Sequence, residues 1–186
     1  KPKGELYSIT GEIKLVQAAI DDMNERGLKN HEGIFLIFKS VLWAMATDFY
    51  GDIYYTEGLR GQEGILFPKF DEQKDIYPAL IQNLKDAVQL LAEGTDPIDK
   101  TYDLFYGGDK TKWVKFANSV RLRLLMRASN KLPDIESEIA TVAALPLMTD
   151  LSDNASIEYQ TGTTTYSWPR GSLRMGWTDN FLLHRP

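Results

Sequence analysis

The chain has 186 residues, 43% of them hydrophobic and 25% charged, with a net charge of -5 at pH 7. That is enough for one domain with a real core, and the acidic balance argues against a nucleic-acid partner, which needs a dense cationic surface. With no cysteine, disulfides, thiolate metal sites and a cysteine nucleophile are excluded; only His31 and His184, near opposite ends, could supply imidazole, so neither metal nor cofactor is expected.

Taken in chain order, Gly11 to Arg26 carries Ile13, Val16, Ile20 and Met23 at helical spacing, with Gly27 as a stop. From about His31 to Tyr50 runs a second helix, apolar on almost every side, which therefore belongs at the centre of a helical assembly. Lys39 interrupts the apolar run, which falls short of the ~20 residues of a membrane span. No signal peptide is legible at Lys1, and the chain reads as soluble, either a single domain or part of a longer protein.

Glu57 to Phe70 holds three glycines and Pro68 and reads as loop. Asp71 to Glu93 returns to helix with the stripe Ile76, Leu80, Leu84, Ala87, Val88 and Leu91. Pro78 either sets the regular start near Asp75 or kinks the first turn. After a loop with Pro97 and Gly107-Gly108, Lys110 to Asn130 forms a fourth helix whose face is Trp113, Phe116, Ala117, Val120 and Leu124. Arg121 falls among its apolar residues, so it is expected to pair with a carboxylate at the end of the central helix, Asp48 or Asp52, because an unpaired buried charge is costly. A fifth helix is expected from Pro133 to Ala144. The scaffold thus spans 11–145. Residues 146–186 are a loop-rich aromatic segment with short strands at best, such as Ser156 to Gln160. Paired helices of this kind give an all-α layered or superhelical arrangement.

Few residues suggest chemistry. Asp48, Asp52 and Glu57 could serve as a general acid/base pair, as in glycoside hydrolysis, but capping a turn and pairing with a buried arginine is the stronger reading. Asp150-Leu-Ser-Asp153-Asn154 has loose calcium-like spacing without the glycine and glutamate of a calcium loop, so a polar turn is favoured. Gly107-Gly108-Asp109-Lys110-Thr111 lacks the first glycine of a phosphate loop. The best ligand candidates are Tyr166, Trp168 and Trp177, whose rings could stack on sugars, with Arg170 and Asn180 to bind hydroxyls. Packing of these rings as anchors is the competing reading, and slightly the stronger.

Two segments in order carry more than either alone. Thr47-Asp-Phe-Tyr-Gly-Asp-Ile-Tyr-Tyr-Thr-Glu57 follows the apolar helix, and Asp103-Leu-Phe-Tyr-Gly-Gly-Asp-Lys-Thr-Lys-Trp113 continues through Asn118, Arg121 and Arg127. With Pro68 to Tyr77 between them and Pro146 to Ala155 after them, this order resembles the SusD/RagB family of Bacteroidetes outer-membrane lipoproteins, in its SusD-like branch. The resemblance covers about Ile34 to Tyr159 and places the chain in the middle of a longer protein. It implies tetratricopeptide-like helix pairs. It also implies a cell-surface protein that binds glycans or other nutrients without cleaving them and passes them to a TonB-dependent, SusC-like transporter. The lipid anchor it implies lies N-terminal to these residues. Asp48, Gly51, Asp52, Trp113, Asn118, Arg121 and Arg127 are then scaffold residues, while ligand residues follow no motif in the family. A helical scaffold that binds a peptide or partner protein without sugar is the alternative.

Overall fold

Among the described residues five α-helices follow one another: α1 (Lys3–Glu25), α2 (Lys29–Tyr50), α3 (Gln73–Glu93), α4 (Lys110–Ala128) and α5 (Ile135–Ala143). The computed structural model describes residues 3–132 and 135–157, with side chains from residue 9 onward. Among these residues there is no strand, only an isolated antiparallel bridge between Ile53 and Asp71. The chain falls into two units, Lys1–Asn154 and Ala155–Pro186. Of the second, only residues 155–157 are described, and Ser156 and Ile157 carry no strand; the rest of the expected strand lies outside the described residues.

α1 starts eight residues before the sequence expectation, because Gly11 is an interior residue and not a boundary; a helix absorbs one glycine at a cost of about 1 kcal/mol. It stops at Gly27 in the left-handed region (φ 68°), where Gly27 N–H donates to Asn24 O and Leu28 N–H to Met23 O, closing a Schellman turn. The turn sends α2 back antiparallel to α1.

α2 is the central helix. Ile34, Ile37, Trp43, Ala44 and Ala46 are buried on several of its sides, between α1 and α3. At 22 residues it is long and apolar enough to cross a membrane by length and composition, which corrects the shorter run read from the sequence. Lys39 does not end it. The half-buried ammonium donates to Gln17 Oε1 of α1 at 2.5 Å, and burial holds its pKa below the usual lysine value. Near the start of α2, Gly33 faces the end of α3. A Cβ there would lie 2.9 Å from Ala87 O and 3.2 Å from Leu91 Cγ, so the missing side chain is what lets the helices approach. At the other end Tyr77 of α3 reaches Asp48, so α2 and α3 run antiparallel.

The helix ends at Gly51 (φ 74°), with Gly51 N–H on Thr47 O and Thr47 Oγ1 on Gly51 O at 2.7 Å. The Ile53–Asp71 bridge then closes a long loop that returns the chain to α3. Asp52 accepts from Gln73 N–H at 2.9 Å, so it caps the first turn of α3 from a distance. Pro78 lies in the second turn, exposed, where its missing N–H leaves only the Lys74 carbonyl unpaired within the helix. Of the expected stripe, Ile76, Leu80, Leu84, Ala87 and Leu91 are buried, joined by Tyr77 and Ile81, while Val88 is only half-buried at its edge.

α4 returns antiparallel to α3 and parallel to α2. Trp113 near its start meets Phe38 in mid-α2, and Arg127 at its end meets Asp48 at the end of α2. This register corrects the expected partner of Arg121. Arg121 is buried as expected, but it donates to Glu138 of α5 at 2.7 Å, and the cation on Asp48 is Arg127. A separation of six residues places Arg127 about 9 Å further along the axis, level with the end of α2, while Arg121 turns toward α5. α5 runs from Ile135 to Ala143, and the expected start at Pro133 lies outside the described residues. The sequential antiparallel pairs make an all-α, tetratricopeptide-like arrangement.

Candidate functional site

Of the concave features, one is built largely from aromatic and aliphatic side chains. Ile34, Phe35 and Phe38 of α2 form one wall, Ile98, Tyr102, Leu104 and Phe105 of the α3–α4 loop the other, and Trp113 of α4 the floor. The cleft is about 240 Å³, with His31, Asp99 and Asp103 as its polar members. Trp113 is fully buried and Tyr102 is 83% exposed, so the cleft has a fixed base and an open ring at its mouth.

The sequence builds this place locally. Asp103 is the hub of the loop: Oδ1 accepts from Phe105 N–H and Tyr106 N–H at 3.1 Å, and Oδ2 from Gly108 N–H and Trp113 Nε1, each at 2.9 Å. Gly108 must be glycine twice over. Its φ is 87°, and a Cβ would lie 2.6 Å from Ile98 O. Asp109 then caps α4 by accepting from Thr111 and Lys112 N–H. Trp113 is thereby locked by its indole N–H and packed edge-on against Phe38 (5.4 Å), Phe105 (5.9 Å) and Tyr106 (5.0 Å). Burial, with the charges of Asp153 and Asp103, pushes the Tyr106 phenol up to about 12, so it stays protonated and donates to Asp153 O.

His31 at the mouth is oriented from behind. Asp96 accepts from the backbone N–H groups of Asn30 and His31 at the start of α2, and from His31 Nδ1 at 2.6 Å. Burial tends to raise this carboxyl, but the N–H groups and the imidazole outweigh it and hold the pKa below the usual aspartate value. The nitrogen left to a ligand is Nε2.

The other polar clusters are structural in their bonding. Asp48 binds Tyr77 OH at 2.5 Å and Arg127, and Asp52 caps α3, so neither is paired with a second carboxylate across a cleft. Asp150 and Asp153 form a capping box around a 3-10 turn at Leu151–Asp153. Both Asp153 oxygens reach Lys115 Nζ, at 3.0 and 3.1 Å, and Oδ2 takes Thr149 N–H besides. Together with Asn118 Nδ2 on Pro146 O and Met148 N–H on Ser119 Oγ, these bonds pin residues 146–154 to α4. Among the described residues no group of histidine, aspartate and glutamate is arranged to hold a metal.

A pH dependence follows. Asp96 and Asp153 have folded pKa values below their unfolded ones, Asp153 through Thr149 N–H and then Lys115. Groups of this sign stabilise the fold above the unfolded pKa of about 3.9 and lose that contribution as pH falls through the folded value. The urea midpoint is therefore expected to hold from pH 7 to 5 and to drop below about pH 4. Asp153→Asn should make that drop shallower; an equal drop in the variant would show that the pair carries none of it.

Tyr166, Trp168, Arg170, Trp177 and Asn180 lie outside the described residues. The sequence reading missed the cleft. Its signal was the run Tyr102-Asp-Leu-Phe-Tyr106, an unusual density of rings in a loop, but half of the walls come from a helix read as core.

A family model described as SusD-like, starch-binding associating with outer membrane, matches residues 4–178. Among solved structures, a SusD homologue from Bacteroides fragilis shares 28% identity at a TM-score of 0.75, over 84% of this chain and 34% of that one. A Bacteroidetes SusD-like protein shares 33% identity at 0.69, over 81% and 28%. A chitin-binding protein shares 30% identity at 0.68, over 81% and 33%. No protein of curated function matches. The chain spans about a third of the length of these structures.

Proposed function

The chain belongs to the SusD-like branch of the SusD/RagB family, and on that premise we propose that it binds oligosaccharide at the outer-membrane surface without cleaving it. The observation that carries this for these residues is the exposed Tyr102 ring at the mouth of an aromatic-floored cleft, the arrangement that stacks on a sugar face. The structural bonding of Asp48 and Asp52 supports binding over hydrolysis. Tyr166, Trp168 and Trp177, with Arg170 and Asn180, supply further stacking and hydroxyl contacts in this proposal. The family model is described as starch-binding and one structural neighbour as chitin-binding, which favours a neutral glycan. A glycan array with the parent chain, Tyr102→Ala and Trp168→Ala tests it. Bound glycans should weaken roughly two- to tenfold in each variant, since stacked rings are worth about 0.5–1.5 kcal/mol. Unchanged binding in a variant removes that ring from the site, and no binding by the parent removes the reading.

In the proposed pathway the ligand passes to a TonB-dependent, SusC-like transporter, and the protein is held at the surface by a lipid anchor N-terminal to these residues. The loop closed by Ile53 and Asp71 presents Leu66, Phe67 and Phe70, 75%, 94% and 63% exposed, and apolar surface of this kind marks a protein contact. Recovery of a barrel transporter from outer-membrane extract by the parent chain, and its loss with Phe67→Ser, is the expected result.

A further inference from the structure

The cleft has more selectivity than a stacking platform requires. Its volume is about 240 Å³, below the ~300–1,000 Å³ of sites that enclose a whole small ligand, so it takes one substituent or one ring edge and leaves the rest outside. Hydroxyls sunk among Phe35, Phe38, Ile98 and Phe105 would lose water without finding partners, which is unfavourable. Both Asp103 oxygens serve their own loop, and Asp99, whose Oδ1 accepts from Thr101 N–H at 2.7 Å, is exposed to water. His31 adds an acceptor set by its neighbour: in the tautomer that donates from Nδ1 to Asp96, Nε2 is the nitrogen left to accept from a guest. An anionic guest would face Asp96, Asp99 and Asp103 together and is disfavoured.

A group that fits these terms is neutral, compact, apolar at its tip and carries one N–H donor. Those are the properties of an acetamido group whose methyl lies against the aromatic walls, whose N–H points toward His31 Nε2 and whose carbonyl, opposite the N–H, stays in water at the mouth, while the sugar ring stacks on Tyr102. We propose that this cleft selects an N-acetylated hexosamine unit within the bound glycan, with Phe35, Phe38 and Phe105 as the methyl pocket and His31, set by Asp96, as the amide acceptor. This rests on the glycan-binding reading and narrows it.

The test is isothermal titration of the full chain with N,N'-diacetylchitobiose and with cellobiose, which share a β-1,4-linked backbone and differ in the acetamido groups. One buried methyl and one amide hydrogen bond should favour the first by roughly tenfold or more. His31→Ala should reduce that preference, and Tyr102→Ala should weaken both sugars. Tyr102 is exposed, so its variant keeps the fold, and circular dichroism confirms that both variants are folded. Equal affinity for the two sugars, or a preference unchanged in folded His31→Ala, overturns the acetamido assignment and leaves glycan binding standing. No binding of any glycan by the parent chain overturns both.

Discussion

Trp113→Ala is expected to destabilise the chain by about 3–5 kcal/mol, the range for removing a fully buried large aromatic. Trp113 is 1% exposed and touches four rings: Phe38 from α2, Phe105 and Tyr106 from the loop, and Phe116 from its own helix. The cavity therefore opens where α2, α4 and the loop meet, and little can collapse into it. Against a total of about 5–15 kcal/mol, that loss leaves the variant marginal at 37 °C. Urea unfolding followed by circular dichroism measures it. Trp113→Phe separates the two roles of the side chain. It keeps most of the packing and loses only the indole N–H bond to Asp103, so its cost should be about 1–2 kcal/mol. Equal losses in both variants would assign the effect to the hydrogen bond and not to the packing.

Asp103→Ala should have the second largest effect, about 2–4 kcal/mol, and should also disturb the cleft. Four donors lose their acceptor together: the N–H groups of Phe105, Tyr106 and Gly108, and Trp113 Nε1. A hydrogen bond to a charged acceptor is worth about 1.5–3 kcal/mol, and water can replace part of what the half-buried loop loses. The loop should loosen ahead of the helices. Hydrogen exchange at Phe105, Tyr106 and Gly108 is expected to quicken while that in α3 stays slow. Uniform acceleration along the whole chain would show that Asp103 supports the core at large and not the loop in particular.

The helices were legible because burial imposes a 3.6-residue period that the residues display. Ile76, Leu80, Leu84, Ala87 and Leu91 announce both α3 and its buried face. What escaped the reading depends on rotation and register between helices, which no local pattern records. Arg121 was recognisable as buried, yet choosing Glu138 over Asp48 required knowing that α4 lies parallel to α2 and extends a further six residues before meeting its end. The role of Gly33 was equally hidden, since only the passage of Ala87 and Leu91 beside it makes the absence of a Cβ matter. The cleft was the hardest to see. Phe35 and Phe38 lie more than sixty residues from Tyr102 and Phe105, and each pair read alone as core or as loop. The order of Asp103, Gly107, Gly108, Asp109 and Trp113 was conspicuous as a resemblance, and its physical content is a loop hub followed by a helix cap and an anchored indole.

The most direct measurement is isothermal titration of the chain with a panel of neutral oligosaccharides, followed by chromatography of the recovered sugar. Saturable binding of at least one oligosaccharide, weakened by Tyr102→Ala and with the sugar recovered intact, is the predicted result. Failure to bind any member, or recovery of shortened sugar, would contradict a glycan-binding protein that does no chemistry on its ligand.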